Sequence, residues 1–218
     1  MVQFVIGIVL ARLLLPEQYG LIGMLSIFMA VAQSFVNSGF GSALIQKQDV
    51  THIDTCSVFY FNILVGIVAA IVLCAIAPFI AVFYNQPILT PLTRAMSVII
   101  VINSFALIQT SLLNKRIDFK TSTKVSLTAS LTSGVVGIGV AYSGFGVWSL
   151  VAQQLVASIV TAALLWILNS WRPAWVFSFS SLRSMFGFGS RLLLSGLLNQ
   201  IFANIYLLVI GKAYSATD

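Results

Sequence analysis

The acidic and basic residues of this chain leave five long stretches without charge between them, and these stretches limit what the chain can fold into. The longest has 47 residues and the next has 39. About 20 apolar residues are enough to cross a lipid bilayer as a helix. Only 7% of all residues are charged, against about 25% in a typical soluble domain. A soluble globule, a disordered chain, a disulfide scaffold and a coiled coil are therefore excluded, and an integral membrane protein is indicated. The uncharged stretches are 18–46, 55–93, 95–114, 125–171 and 192–211.

The secondary structure of these stretches follows from the properties of the lipid. Peptide groups in hydrocarbon must bond to one another, which leaves only helices and closed barrels. The stretches are apolar throughout and show no alternation of apolar and polar residues, so a transmembrane β-barrel is disfavoured. We predict an all-α integral membrane protein with about seven transmembrane helices. The first span, residues 1–15, reaches only about 22 Å, whereas the hydrocarbon core measures about 30 Å. The predicted spans are 1–15, 19–37, 56–83, 92–113, 125–143, 147–168 and 186–210.

The two ends of the chain indicate that it comes from a longer protein. The first span is too short to cross the bilayer alone, and it lacks the basic leader of a secretory signal. Residues 211–218 resemble an incomplete loop after the last span. We therefore expect a fragment of a longer transporter, without a few N-terminal residues and without a large C-terminal part.

Basic residues are unequally divided between the two sides that the seven spans define. One side holds eight of them, and the other holds Arg12, Arg94 and Lys212. The positive-inside rule places the richer side in the cytoplasm, so the N-terminus is expected there too. This division accounts for the net charge of +6 without a nucleic acid, which would need one clustered basic face with stacking aromatics. The eight are Lys47, Lys115, Arg116, Lys120, Lys124, Arg172, Arg183 and Arg191.

Residues that carry enzyme or metal chemistry are few in this sequence. The single histidine, His52, lies in a predicted loop close to Asp54. Cys56 and Cys74 lie on one face of one predicted helix, about 27 Å apart along its axis, which is beyond disulfide reach. We find no phosphate-binding loop, zinc-ligand spacing or nucleophile elbow. We therefore predict no enzymatic activity, no cofactor and no metal site.

All acidic residues fall in predicted loops or at the end of the chain, so no predicted span buries a carboxylate. A proton- or sodium-coupled cation pump usually needs one, and cationic drug export is therefore disfavoured. The charges near the membrane are instead those of Arg12, Arg94 and Arg191, and arginine binds phosphate groups well. We select these three as candidates for a substrate cavity; the alternative is that they extend to the headgroups. The acidic residues are Glu17, Asp49, Asp54, Asp118 and Asp218.

A polar stripe follows Arg191 along the last predicted span. Ser195 and Asn199 come four and eight residues later, and Tyr206 falls on the same helical face. Because the helix is otherwise apolar, Ser195 and Asn199 join the candidates for the cavity. Amide side chains in the spans can bond between helices or line a wet path, and the sequence leaves both roles open. They are Gln33, Asn37, Asn62, Asn103, Gln109, Gln153 and Gln200.

Three local patterns concern packing and the membrane surface. Small residues recur every four positions from Ala129 to Ala141 and predict close helix contact. Ser-Gly-Phe-Gly occurs at 38–41 and at 143–146, after the second and fifth spans, as expected if spans one to three and four to six are inverted repeats. Residues 172–183 mix bulky apolar side chains with serine and arginine, which is typical of a segment on the membrane surface. An ordinary long loop is the alternative for that segment.

Six strings in a fixed order along nearly the whole chain point to one family. Together they resemble the polysaccharide flippases of the multidrug/oligosaccharidyl-lipid/polysaccharide (MOP) exporter superfamily. The most similar subgroup exports lipopolysaccharide O-units, colanic acid or teichuronic acid. The strings are ARLLLPEQYG at 11–20, GFGSALIQK at 39–47, FYNQP at 83–87, KRIDFK at 115–120, GFGVWSLVAQQ at 144–154 and WRP at 171–173.

The resemblance implies a transporter with about twice as many spans, in two lobes around a central cavity. Residues 1–170 would form the six-helix N-terminal lobe, 171–185 a cytoplasmic interfacial linker, and 186–218 the truncated first helix of the second lobe. The family often has Asn-x-Asp near the end of that helix. Here Asn204 fits the pattern but Tyr206 stands in place of the Asp.

The resemblance also implies a function, a location and partners. The expected function is translocation of polyprenyl-pyrophosphate-linked oligosaccharide across the bacterial inner membrane, with basic groups at the pyrophosphate and polar side chains at the glycan. The expected partners are this lipid-linked substrate, membrane lipids and the missing C-terminal lobe. Two alternatives remain at this point: a cation-coupled multidrug exporter of the same superfamily, and a non-transporting, truncated membrane scaffold.

Overall fold

The computed structural model describes residues 2–37 and 39–213, without the side chains of 204 and 206–213. Within this part the chain forms helices joined by turns and short segments, and it contains no strand. The prediction of an all-α fold is confirmed. The helices are α1 (Val2–Leu13), α2 (Pro16–Asn37), α3 (Phe40–Gln46), α4 (His52–Tyr84), α5 (Leu89–Lys115), α6 (Phe119–Tyr142), α7 (Trp148–Leu168) and α8 (Phe179–Ala213).

Seven of these helices correspond to the seven predicted spans. In the part that the structure describes, α2, α4, α5, α6 and α7 are long and apolar enough to cross a membrane. The first helix, α1, has only 12 residues, and α8 has 35. The additional helix, α3, has seven residues and lies between the second and third spans. The arrangement agrees with an all-α membrane protein.

Chain connectivity gives the bundle two distinct ends. Short turns join α1 to α2, α4 to α5 and α6 to α7 at one end, which we call the turn end. The other end holds α3, the α5–α6 turn and the non-helical residues 169–178; we call these residues the strap and this end the strap end. Contacts agree with this arrangement. A Cβ atom placed on Gly146 would lie 2.6 Å from Gln18 Nε2 at the turn end, and Lys115 Nζ donates to the Leu44 carbonyl at 3.1 Å at the strap end.

Helix α5 forms the centre of the bundle. More than half of its most apolar stretch is buried, and it packs against α2, α4 and α7. Its residues Leu89, Leu92 and Met96 belong to an apolar cluster that also contains Leu25 of α2 and Val151 of α7. Toward the turn end the space between these helices is therefore filled by apolar side chains.

Capping side chains determine where two of the spans begin. The Thr51 hydroxyl accepts the N–H of Asp54 at 3.2 Å, and the Asp54 carboxylate accepts the N–H of Thr51 at 3.1 Å. This reciprocal cap starts α4 at His52, before the predicted residue 56. Asp118 caps α6 by accepting the N–H of Thr121 at 3.0 Å. Hydrogen bonds from the Thr121 hydroxyl and N–H hold the pKa of Asp118 below its ordinary value.

Helix α8 begins at Phe179, whereas the sequence predicted a start at residue 186. The Ser178 hydroxyl accepts the N–H of Ser181 at 3.3 Å and so supplies the cap for an earlier first turn. The second half of the predicted linker, 171–185, is therefore helical, and only its first half belongs to the strap.

The small residues of α6 pack closely against neighbouring helices, as predicted. Ala129, Ser133 and Gly137 are buried. A Cβ atom placed on Gly137 would lie 2.9 Å from the Cβ of Gln153 in α7. The absence of larger side chains is thus what allows α6 and α7 to approach each other.

The two Ser-Gly-Phe-Gly strings share a backbone conformation at their first glycine. Gly39 has φ 69° and Gly144 has φ 81°, both in the left-handed region that favours glycine. Each follows the end of a helix, α2 or α6. The second glycines differ, because Gly41 lies within α3 whereas Gly146 has φ 56°. Ser38 lies outside the described residues, and the inverted repeat stays a prediction that this shared turn supports.

We predict that Gly66→Ala destabilises the bundle by separating α4 from α5. A Cβ atom at this position would lie 2.7 Å from both Cβ and Oγ of Ser104, which is closer than packed atoms allow. The expected loss is on the order of 1–3 kcal/mol, seen as a lower melting temperature in detergent. Gly23→Ala is the matched control, because nothing lies within 4 Å of its added Cβ. Equal melting temperatures for the two variants would contradict this view of the contact.

Candidate functional site

Two of the three candidate arginines lie at the turn end of the bundle. Arg12 is in the last turn of α1, and Arg94 is in the second turn of α5. Both side chains are exposed. The last turn of α1 and the first turns of α5 both lie at the turn end, so these two cations are at the same end of the bundle.

The third arginine and its polar stripe lie on the outward face of α8. Arg191, Ser195 and Asn199 are all exposed. Helix α8 packs against α2, α3 and α4 with residues that recur every three or four positions. At about 100° per residue, the polar stripe lies nearly opposite this packed face. The stripe therefore points away from the rest of the described chain. The half-buried residues of the packed face are Leu193, Gly196, Leu197 and Gln200.

The described part of the chain does not bring the three arginines into one site. Arg191 follows Gly189, whose backbone contacts Gly39 at the strap end. Arg12 and Arg94 lie at the turn end, where an apolar cluster around α5 fills the space between the helices. Within the described residues the three arginines therefore do not line one common chamber, and their role in a cavity stays a prediction. A cavity that uses the α8 stripe would have its opposite wall outside them.

Helix α2 carries a polar surface that the sequence analysis overlooked. Five small or polar residues recur every three or four positions along it, and each is half-buried or exposed. The buried apolar residues Leu21, Leu25, Ala32 and Val36 lie on the other side of the helix. The three-to-four-residue spacing of this set can be seen in the sequence. It was missed because two of its members, Gly23 and Ala30, are small and not polar. We call this set the polar face of α2: Gly23, Ser26, Ala30, Gln33 and Asn37.

One hydrogen bond joins the polar face of α2 to α5, and a second continues it within α2. Asn103 Nδ2 donates to Gln33 Oε1 at 2.9 Å, and Gln33 Nε2 donates to Asn37 Oδ1 at 3.3 Å. For Asn103 and Gln33 the structure supports the first of the two predicted roles, hydrogen bonding between helices, whereas the bond to Asn37 lies within α2. The chain of amides also places hydrogen-bonding groups of both kinds along a partly open surface.

Asp54 corrects the expectation that every carboxylate lies in a loop. It lies in the first turn of α4 and is only 3% exposed, because the capping box makes this turn helical. Lys47 Nζ donates to its Oδ2 at 2.6 Å. Lys115 in turn donates to the carbonyls of Leu44 and Lys47. These two of the eight basic residues of the strap end are therefore bound to the protein itself, and Arg172 is a third, since its guanidinium donates to the carbonyls of Asn169 and Trp171.

His52 is also helical rather than part of a loop, since it is the first residue of α4. Its Nε2 lies 3.2 Å from the Arg172 carbonyl oxygen, and its Nδ1 lies 3.4 Å from Cys56 Sγ. The ring thus joins α4 to the strap. Among the residues that the structure describes, no three His, Cys, Asp or Glu side chains form a cluster that could hold a metal ion.

An apolar groove of about 640 Å³ runs between α2 and α4. Its walls include Phe28 and Val31 of α2 and Leu64 and Val68 of α4. Every lining residue is apolar, so the groove offers contacts to hydrocarbon rather than to a headgroup.

These features define an all-α membrane bundle with a polar stripe on its last helix, and comparison with known proteins identifies its family. The chain belongs to the polysaccharide biosynthesis protein family, whose model matches residues 9–218. The family match confirms the resemblance to polysaccharide flippases that the sequence indicated. The search for similar solved structures found no match.

Three curated relatives match most of this chain. The teichuronic acid biosynthesis protein TuaB of Bacillus subtilis is 29% identical over 188 residues, covering 85% of this chain and 39% of that protein. The succinoglycan biosynthesis transport protein ExoT of Rhizobium meliloti is 27% identical, covering 99% and 44%. The lipopolysaccharide biosynthesis protein WzxC of Escherichia coli is 23% identical, covering 95% and 43%. The chain thus spans roughly two fifths of the length of these relatives.

We predict that Lys47→Ala destabilises the strap end, because it leaves the buried Asp54 carboxylate without its ion pair. The expected loss is on the order of 1–3 kcal/mol, measured as a lower melting temperature in detergent. Lys120→Ala removes an exposed lysine from the same end and serves as the control. If both variants melt together, the ion pair contributes nothing to stability.

Proposed function

We propose that this chain is part of a flippase that moves polyprenyl-pyrophosphate-linked oligosaccharides across the bacterial inner membrane for polysaccharide biosynthesis. The units would be of the O-antigen, colanic acid or teichuronic acid type. Family membership supports the proposal, as do the three relatives, whose names concern teichuronic acid, succinoglycan and lipopolysaccharide. The structural observation that carries it is the polar stripe of α8, headed by Arg191 and turned away from the packed bundle.

The chemistry of the stripe suits an anionic, sugar-bearing lipid. The Arg191 guanidinium can donate two parallel hydrogen bonds to a pyrophosphate. Ser195 and Asn199 follow at one and two helical turns and can bond to sugar hydroxyls. The polyprenyl chain would stay in the hydrocarbon of the bilayer. Transport of this kind makes and breaks no covalent bond, so the proposed role is that of a transporter and not of an enzyme.

The proposed cavity lies between this bundle and a second lobe. Residues 1–170 form the N-terminal lobe in this proposal, 171–185 the link, and 186–218 the first helix of the second lobe. The outward stripe of α8 supplies polar groups for one wall of this cavity, and the opposite wall lies outside the described residues. Rocking of one lobe against the other would open the cavity alternately to the two sides of the membrane.

The distribution of cations supports a cytoplasmic strap end. By connectivity that end holds eight basic residues, whereas the turn end holds three, Arg12, Arg94 and Lys212. The positive-inside rule then places the N-terminus in the cytoplasm. In this orientation Arg191 lies toward the side where the substrate enters, and Arg12 and Arg94 lie toward the side where it leaves.

We predict that Arg191→Ala in the full-length protein lowers surface polysaccharide by about tenfold or more, since a lost charged hydrogen bond costs about 1.5–3 kcal/mol. Arg191→Lys should retain part of the export, because it keeps the positive charge but loses the planar guanidinium that can donate two parallel hydrogen bonds. Arg116→Ala removes an exposed cation from the α5–α6 turn on the same side and is the control. Normal export by Arg191→Ala at normal protein level would remove this residue from the mechanism.

A further inference from the structure

The strap is held firmly against the first turns of α4. The Ala174 N–H donates to Cys56 Sγ at 3.3 Å, and the Tyr60 hydroxyl donates to the Ala174 carbonyl at 3.2 Å. The Ser178 N–H donates to Ser57 Oγ at 2.8 Å. These bonds fix the strap backbone in one place and so fix which of its side chains point outward.

The position of these contacts along α4 puts the strap at the membrane boundary. Helix α4 has 33 residues and is therefore about 50 Å long, while the hydrocarbon core measures about 30 Å. If the excess of roughly 20 Å is shared between the two ends, the core begins about seven residues into the helix, near Val58. Cys56, Ser57 and Tyr60, which hold the strap, lie at this level.

The strap and the start of α8 expose large apolar side chains at this level. Trp175 is 95% exposed, Phe177 is 57% exposed and Phe179 is 73% exposed. The Trp175 ring stacks on Tyr60 with 5.8 Å between ring centroids, which sets its direction without covering it. Aromatic side chains in such a position favour the layer between headgroups and acyl chains.

The charges around these aromatics match an anionic surface. Arg172 and Arg183 flank them in sequence, and both side chains are exposed. The Arg172 guanidinium also donates to the carbonyls of Asn169 and Trp171, so Arg183 is the cation assigned to the lipid phosphate below. Residues 119–217 contain no aspartate or glutamate, and the Asp54 carboxylate near the start of α8 is paired with Lys47. Basic groups at the cytoplasmic boundary are attracted to the anionic lipids of that leaflet.

We infer that the strap and the first turn of α8 form a lipid-binding surface for the leaflet on the strap-end side of the membrane. Trp175, Phe177 and Phe179 insert at the boundary between headgroups and acyl chains, and Arg183 binds the phosphate of an anionic phospholipid. The connection between α7 and α8 is thereby anchored both to α4 and to the bilayer. This role is independent of the substrate that the protein transports.

Spin-label accessibility in vesicles tests the insertion. Phe177→Cys and Phe179→Cys, labelled in the full-length protein, should show a several-fold higher ratio of oxygen to nickel-chelate accessibility than Asp49→Cys. Asp49 is an exposed polar residue in the α3–α4 connection at the same end. Ratios equal to that of Asp49 would place the strap side chains in water. Labels shielded from both reagents would place them under another part of the protein, and either result overturns the inference.

Two further measurements test the insertion of Trp175 without a label and the phosphate contact of Arg183 with the same labels. Brominated phosphatidylcholine should quench tryptophan emission, and Trp175→Phe should remove most of the quenching by bromines near the headgroup.

In vesicles that contain phosphatidylglycerol the labels at 177 and 179 should lie deeper than in phosphatidylcholine alone, and Arg183→Gln should abolish this difference. Unchanged quenching in Trp175→Phe would contradict the insertion, and an unchanged difference in Arg183→Gln would contradict the phosphate contact.

Discussion

Every peptide group in hydrocarbon needs a hydrogen-bond partner, and the whole structure depends on this requirement. It makes each span a helix and pushes the irregular backbone to the two ends of the bundle, where water, caps or side chains can satisfy it. The strap shows how this is done at one end, since Cys56, Ser57 and Tyr60 supply partners for a non-helical segment. Within the membrane the helices are then held by close contacts of small residues and by a few amide bonds such as that from Asn103 to Gln33.

Much of the fold could be predicted from charge-free stretches alone. The predicted spans 19–37 and 147–168 agree closely with Pro16–Asn37 and Trp148–Leu168. Other helices begin earlier than predicted because polar side chains cap them outside the apolar stretch. Thr51 does this for α4 and Ser178 for α8. Hydropathy locates the part of a helix that lies in lipid, whereas caps decide where its first turn begins, and the two need not coincide.

The candidate site was harder to predict, because sequence periodicity shows which residues share a face but not what that face contacts. Arg191, Ser195 and Asn199 do share a face of α8, and only the structure shows that it points away from α2. Arg12 and Arg94 were grouped with Arg191 by their charge, yet chain topology places them at the other end. Asp54 appeared to be a loop residue, and its burial depends on Lys47, whose contact no local pattern reveals.

The central claim is that the α8 stripe faces a water-filled path for a charged, sugar-bearing lipid. Cysteine labelling of the full-length protein in membranes tests it most directly, with a membrane-impermeant maleimide applied to Ser195→Cys and Leu194→Cys. Both parent side chains are exposed, but they point about 100° apart on the helix. The account predicts labelling of Ser195→Cys at a rate several-fold above that of Leu194→Cys. Labelling of Leu194→Cys at an equal or higher rate would show that the stripe is no more accessible to water than its neighbouring face and would contradict the account.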